Sequence, residues 1–332
     1  MSVYAHRGII IRLLFLTLAV LCALVTGFGR LRRRRVITLC YHGVTGAQQN
    51  SFSRQMARVA AHAVDPGDIA HPPAGRFAAP MVCITFDDAF ANLLDHALPT
   101  TLALTIPVIV FAPTGCLGSP PSWRIARDHP DAAEHTMTAD QITQARTDRL
   151  CRFGSHGATH RPLTELSPDQ ARRELAESKA VLATLIGGPV EDLAFPHGAY
   201  NEQLVEAARA AGYRRIFTLD PDPSVTCQGI QIVARMKMSP NAWPIEFILT
   251  ISGAYDWLPP ARRMLKAIAG WAGVFTNRHR QDRRIRGGPR TRPITRPSNA
   301  PAGRMANDAS RLRTSQDTSA HAPPVRFGSP WT

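Results

Sequence analysis

From Val36 onward, short apolar runs alternate with stretches of helical periodicity, and no other feature of the 332-residue chain restricts its fold as strongly. The apolar runs are 36–41 (VITLCY), 81–86 (MVCITF), 106–112 (IPVIVFA), 151–155, 193–196 (LAFP), 215–219 and 230–235. Between them, helices are predicted over 89–104, from about Thr138-Ala139-Asp140-Gln141, over 167–186 and over 201–211. The third has a full set of terminal signals, with Ser167 as N-cap, Pro168 at the first helical position and Gly187-Gly188 beyond its end. Strands alternating with helices of this length predict an α/β fold, either a parallel sheet or a barrel. Segment 45–80, rich in Gly, Pro, Ala and His, reads as a loop or insertion. Segment 116–136, with Gly118, Pro120, Pro121 and Pro130, reads as a long connection of the kind that walls an active site.

The net charge of +14 lies at the ends. Residues 1–35 hold seven Arg and no acid, and residues 271–332 hold twelve Arg against Asp282, Asp308 and Asp317, which leaves residues 36–270 at −2. A near-neutral middle excludes nucleic acid as the partner of a folded core, which would need basic residues on its face. The tail after Phe275 is rich in Arg, Pro, Ser and Gly and is expected to be disordered. The six cysteines form no CxxC pair and no dense framework, so free thiols are expected.

Leu13 to Phe28 is sixteen residues without a charge, extended upstream by Ile9-Ile10-Ile11 if Arg12 snorkels. No small-x-small cleavage site precedes the arginine cluster 30–35, so the run is expected to be an uncleaved single-pass membrane anchor, its side of the membrane open. The chain thus divides into an anchor and Arg cluster (1–35), an α/β domain (36–243), an accessory helical segment (244–270) and a basic tail (271–332).

Polar residues follow the strand candidates in one register. His42 follows 36–41, Asp87 and Asp88 follow 81–86, His156 follows 151–155, and Pro196-His197-Gly198 follows 193–195. In α/β barrels and open sheets the C-terminal strand ends are where active sites lie. Asp88 with the HxxxH pair His156 and His160 supplies one carboxylate and two imidazoles, a three-ligand set with an open position suited to Zn²⁺ or another divalent metal. Asp87 is left over for proton transfer, and His42 can serve as an acid titrating near neutrality. Each residue also has a plainer reading: the Asp pair as helix caps, the histidines as surface or core groups, Pro196-His197-Gly198 as a tight turn.

The segments CITFDDAFANLL, FGSHGATHRPL and LAFPHGAYN resemble the NodB-homology domain of the polysaccharide deacetylases (carbohydrate esterase family four). ITLCYHGV is similar to the start of its poly-N-acetylglucosamine-deacetylase branch. The resemblance covers about residues 36–240. It implies a distorted (β/α) barrel that removes N-acetyl groups from an N-acetylhexosamine-containing glycan with the help of a metal. It assigns Asp87 as general base, Asp88, His156 and His160 as metal ligands, His42 as general acid, and Pro196, His197, Gly198 and Tyr200 to the substrate groove.

Three positions depart from the family pattern. Ala89 stands where Gly is usual, a mild change if the backbone there is already helical. His197 replaces a common aromatic. Ala194 occupies the place of an arginine that orients the base, for which Arg235 or Lys237 are the available substitutes. Other readings keep the scaffold but change its role. These are hydrolysis of small cyclic amides or O-acetyl esters, glycan binding by a decayed site, and nucleic-acid binding by the tail alone.

Overall fold

The computed structural model describes residues 3–25, 36–69, 81–123, 125, 130–219, 225–227 and 229–255. The tail expected to be disordered and residues 256–270 of the accessory helical segment lie outside the described residues.

Eight strands form one sheet: β1 (Val36–Tyr41), β2 (Met81–Phe86), β3 (Val108–Ala112), β4 (Cys151–Ser155), β5 (Asp192–Ala194), β6 (Arg215–Thr218), β7 (Val225–Cys227) and β8 (Ile230–Lys237). Seven run parallel in the order β1-β2-β3-β4-β5-β6-β8, and β8 pairs back onto β1 through Thr38↔Arg235 and Cys40↔Lys237, closing a barrel. β7 is an antiparallel addition to β8. Among the described residues the α-helices are α1 (Val3–Val25), α2 (Gly46–Val59), α3 (Asn92–His96), α4 (Leu98–Ala103), α5 (Ala139–Ala145), α6 (Pro168–Ile186), α7 (Glu202–Ala210) and α8 (Pro244–Ile251).

Strand side chains alternate between the two faces of the barrel wall. One set, with Cys83, Ile109, Phe111, Phe217 and Val233, forms a small apolar cluster; the other packs beneath the helices in a larger one. Arg235, two residues beyond Val233, lies over the Phe111 ring at 5.3 Å and the Phe217 ring at 6.0 Å. It therefore shares the face of the smaller cluster.

Several helix boundaries follow the sequence signals. Ser167 caps α6 with Gln170 completing a capping box, and Gly187 ends it at φ 59. Thr138 with Gln141, and Asn201, start α5 and α7 in the same manner. Two expectations are corrected. Segment 45–80 is not a plain loop, because Thr45 and Gln48 form a capping box that starts α2. The single helix expected over 89–104 is two short ones starting only at Asn92, because Asp88 and Ala89 take left-handed backbone angles that no helix continues.

The expected membrane anchor finds no support: no described helix is long and apolar enough to cross a membrane. One side of α1 is instead packed on the protein. Ala19 and Ala23 are fully buried in a cluster with Leu249 and Ala254. Cys22, Cys40, Cys83, Cys116 and Cys151 are free thiols.

Candidate active site and metal centre

Four parallel strands deliver their polar residues to one cleft of about 350 Å³, which His42, Asp87, Asp88, His156, His160 and His197 all help to line. Asp87 and Asp88 are buried, as are His156 and His160. The capping reading of the Asp pair fails, since α3 has Ala91 at its N-cap and no side-chain cap. Pro196, Gly198 and Tyr200 are not among the described residues lining this cleft. Tyr200 stacks on Phe195 at 5.8 Å, while Pro196 and Gly198 form the turn that carries His197 forward.

Asp88, His156 and His160 place one donor atom each within 4.8 Å of one another. Asp88 Oδ1 lies 3.5 Å from His156 Nε2 and 2.9 Å from His160 Nε2, yet it is a buried oxygen without a hydrogen-bond partner among the described residues. Such an atom is costly unless something cationic satisfies it. His156 Nδ1 donates to the Ala194 carbonyl at 2.7 Å, which leaves the Nε2 lone pair facing Asp88. A carbonyl behind a histidine is the usual way of fixing a metal-binding tautomer. Burial, with His160 adding to it, brings His156 down to about 4 despite the opposing Asp87 and Asp88, so the ring is neutral at physiological pH. Burial pushes the Asp88 carboxyl up, but the imidazoles of His160, His42 and His156 outweigh it and hold Asp88 ionised. One carboxylate and two imidazole nitrogens, with a buried oxygen left unsatisfied among the described residues, fit a divalent metal.

Backbone strain gathers here. Among the described non-glycine residues, five have positive φ, and Asp88 (69°), Ala89 (48°), His160 (58°) and His197 (59°) are four of them. Non-glycine residues in this region cost on the order of 1–3 kcal/mol each and persist where surrounding contacts over-determine them. For His160 those contacts come largely from α6. Glu174 Oε2 accepts from the backbone N–H groups of Ala158 (2.8 Å) and Thr159 (2.9 Å), and its Oε1 accepts from the Thr159 hydroxyl (2.7 Å). Ser178, one turn on, donates to the Gly157 carbonyl at 2.9 Å.

Asp87 is held separately. Arg235 donates to Oδ1 at 2.6 Å and to Oδ2 at 2.9 Å, and the Cys40 thiol donates to Oδ2 at 3.2 Å. Burial raises the Asp87 carboxyl, but the guanidinium outweighs it and holds the group well below the usual carboxylate range. Arg235 thus fills the role left open by Ala194; Lys237 lines the cleft and does not bind Asp87.

On the opposite side the backbone after His42 is gripped twice. The Gly43 N–H donates to Asp131 at 3.3 Å and the Val44 N–H to Asn92 at 3.2 Å. A Cβ on Gly43 would meet Asp131 Oδ1 at 2.2 Å, so the position requires glycine. Trp123 stacks on the His160 ring at 3.9 Å. Neither Trp123 nor Asp131 is singled out by a motif. Their one sequence signal is that both fall in the 116–136 connection, expected to wall the site.

The strand-end carboxylates and the histidine pair lie within residues 74–216, the segment that matches the polysaccharide deacetylase family. The match covers a little under half of the chain. The chain is 25% identical over 160 residues to YxkH of Bacillus subtilis, a protein assigned by name to the polysaccharide deacetylases, covering 48% of this chain and 52% of that one. The chain therefore spans about half the length of that relative. Among solved structures, IcaB from Ammonifex degensii aligns with a TM-score of 0.52 at 22% identity, covering 66% of this chain and 97% of that one. The Streptococcus pyogenes deacetylase PplD, in complex with acetate, aligns with a TM-score of 0.53 at 18% identity, covering 66% and 97%. At these identities the two structures support the fold.

Proposed function

We propose that this protein is a metal-dependent N-deacetylase acting on an N-acetylhexosamine-containing glycan, with Asp87 as general base and His42 as general acid. The observation that carries the reading is the division of labour between adjacent carboxylates. Among the described residues Asp88 Oδ1 faces only the two imidazoles, while Asp87 is turned away onto Arg235 and Cys40. The family and the acetate-bound relative support removal of an acyl group.

Asp88, His156 and His160 would hold the metal, most suitably Zn²⁺, which supplies a polarised carbonyl and a water of lowered pKa. Asp87, fixed at both oxygens, accepts the proton of the attacking water. The ion pair with Arg235 keeps Asp87 ionised and ready before each turnover, at the cost of making it a weak base in isolation. His42 then gives a proton to the leaving nitrogen, without which an amine anion would have to depart. Trp123, stacked on His160, covers one side of the metal-ligand ring and limits water there.

The test is acetate release from N-acetylglucosamine oligomers by the full chain, with and without chelator. Chelation should abolish release and Zn²⁺ restore it, and Asp87→Asn should bind metal stoichiometrically while losing activity. Full activity of Asp87→Asn would remove Asp87 as the base. Release confined to small cyclic amides or O-acetyl esters would keep the metal centre and change the substrate. A purified chain that takes up no metal would favour the decayed, glycan-binding reading.

A further inference from the structure

Helix α1 presents two opposed stripes. Arg12, Leu16, Ala19, Val20 and Ala23 recur at helical spacing on one side. Ala19 and Ala23 are fully buried against α8, with Leu16 and Val20 packed at the edge of the same cluster. Arg12 fixes the contact, donating twice to Glu246 at 2.5 Å and lying 4.0 Å over the Trp243 ring. The other side carries Leu14, Leu18, Leu21 and Val25, exposed by 68%, 40%, 54% and 79%. From Leu13 to Val25 no residue is charged. Ten large apolar side chains are exposed among the described residues; seven are on α1, and two more, Trp243 and Ile245, stand at the start of α8 beside it. Apolar surface gathered in this way marks a binding face.

We propose that the outer stripe of α1 docks into one leaflet of an anionic lipid bilayer, the helix lying in the interface with α8 on its protein side. Charge selects this occupant over an apolar protein groove. Within ten residues of the helix end the sequence supplies Arg30, Arg32, Arg33, Arg34 and Arg35 and no acid, a cluster that attracts anionic headgroups. In most surface-seeking helices the polar face is turned to water; here that face is replaced by packing on α8, which explains how a helix apolar on both sides can lie flat. Trp243, exposed at the same edge and stacked under Arg12, has the amphipathic character that favours the headgroup level. The docked helix would hold the barrel at a membrane surface.

The experiment is flotation of the full chain with vesicles of phosphatidylcholine, with and without about one-third phosphatidylglycerol. The chain should float with the anionic vesicles, be released by high salt and alkaline carbonate, and lose binding about tenfold or more in the Leu14→Gln/Leu18→Gln/Leu21→Gln variant. That variant should retain normal circular dichroism and acetate release. Replacing the five arginines by Gln should weaken binding to the anionic vesicles only. Three results overturn the proposal: no flotation with either vesicle, retention through carbonate extraction (a spanning helix), or a dimer in solution that the triple variant converts to monomer (a second copy covering the stripe). Because acetate release is read separately, failure of docking and failure of the deacetylase reading are distinguishable.

Discussion

Arg235 on β8 reaches Asp87 after β2 with both terminal nitrogens, at 2.6 and 2.9 Å, with the guanidinium wholly buried. The fork matches the two carboxylate oxygens, and the same Nη1 also donates to Thr85 at 3.1 Å. Lysine carries the charge without the fork, so Arg235→Lys should fold but leave the Asp87 plane unfixed, lowering kcat on the order of 10²-fold with little change in KM. Arg235→Ala strands a buried carboxylate and should cost about 3–5 kcal/mol. Denaturant midpoints and steady-state kinetics on the two variants check both statements. Wild-type kcat in Arg235→Lys would show that orientation of Asp87 does not matter.

Glu174 binds the loop between the two metal-ligand histidines, at Ala158 and Thr159. Glu174→Ala removes the acceptor of two backbone N–H groups and one hydroxyl, and should weaken metal binding about 10- to 100-fold, the range for residues that hold ligands in place. Glu174→Gln keeps a carbonyl oxygen for the backbone groups and should recover most of the affinity. A competition titration against a chromophoric chelator measures this without reference to turnover. Equal affinity in Ala, Gln and wild type would reduce Glu174 to a helix-surface residue.

The part of the site written in contiguous segments is legible in the sequence alone. A strand followed at once by Asp87-Asp88, or by His156 and His160, fixes both the residues and the barrel edge on which they lie. What spans the chain is only half legible. Arg235 is 148 positions from Asp87, and its partner depends on β8 closing onto β1, which no local pattern encodes. An arginine inside an apolar strand is nonetheless a usable signal, since a buried guanidinium needs a buried anion. The turn at Asp88-Ala89 reads as helix because helix propensity is a local quantity, and tertiary contacts around the metal ligands override it. Helix α2 is hidden although Thr45 and Gln48 stand at capping-box spacing, because the polar and Gly-containing composition of the segment outweighs that signal. Motif alone puts Tyr200 in the groove; in the structure its ring stacks on Phe195.

Ala89 occupies φ 48, where glycine pays no Cβ penalty. The left-handed backbone costs alanine about 1–2 kcal/mol, while glycine adds about 0.5–1 kcal/mol of unfolded-chain entropy and gives up one buried methyl. Ala89→Gly should therefore change stability by less than about 1 kcal/mol in either direction, whereas at a helical position it would lose about 1 kcal/mol plus the buried methyl, roughly 2 kcal/mol together. Thermal unfolding of the two proteins distinguishes these outcomes, and a loss of about 2 kcal/mol would mean that the turn is not strained.

His156 gives the site an acid limit. Its pKa is depressed to about 4 in the folded chain by burial first, against an ordinary 6.5. Above pH 6.5 the ring is neutral in both states and its contribution to stability is fully present. Between 6.5 and 4 the unfolded chain binds a proton that the folded chain refuses, so stability falls as pH falls, by up to about 1.4 kcal/mol per pH unit. Below about 4 both states are protonated and the loss is complete. The metal needs the same neutral nitrogen, so protons should compete with it in the folded chain only as pH falls toward about 4. Unfolding midpoints of the chelator-treated protein from neutral pH down to about 4.5 should therefore decline more steeply for wild type than for His156→Gln, which carries no titrating ring. Identical slopes would mean that His156 is not held neutral by the fold.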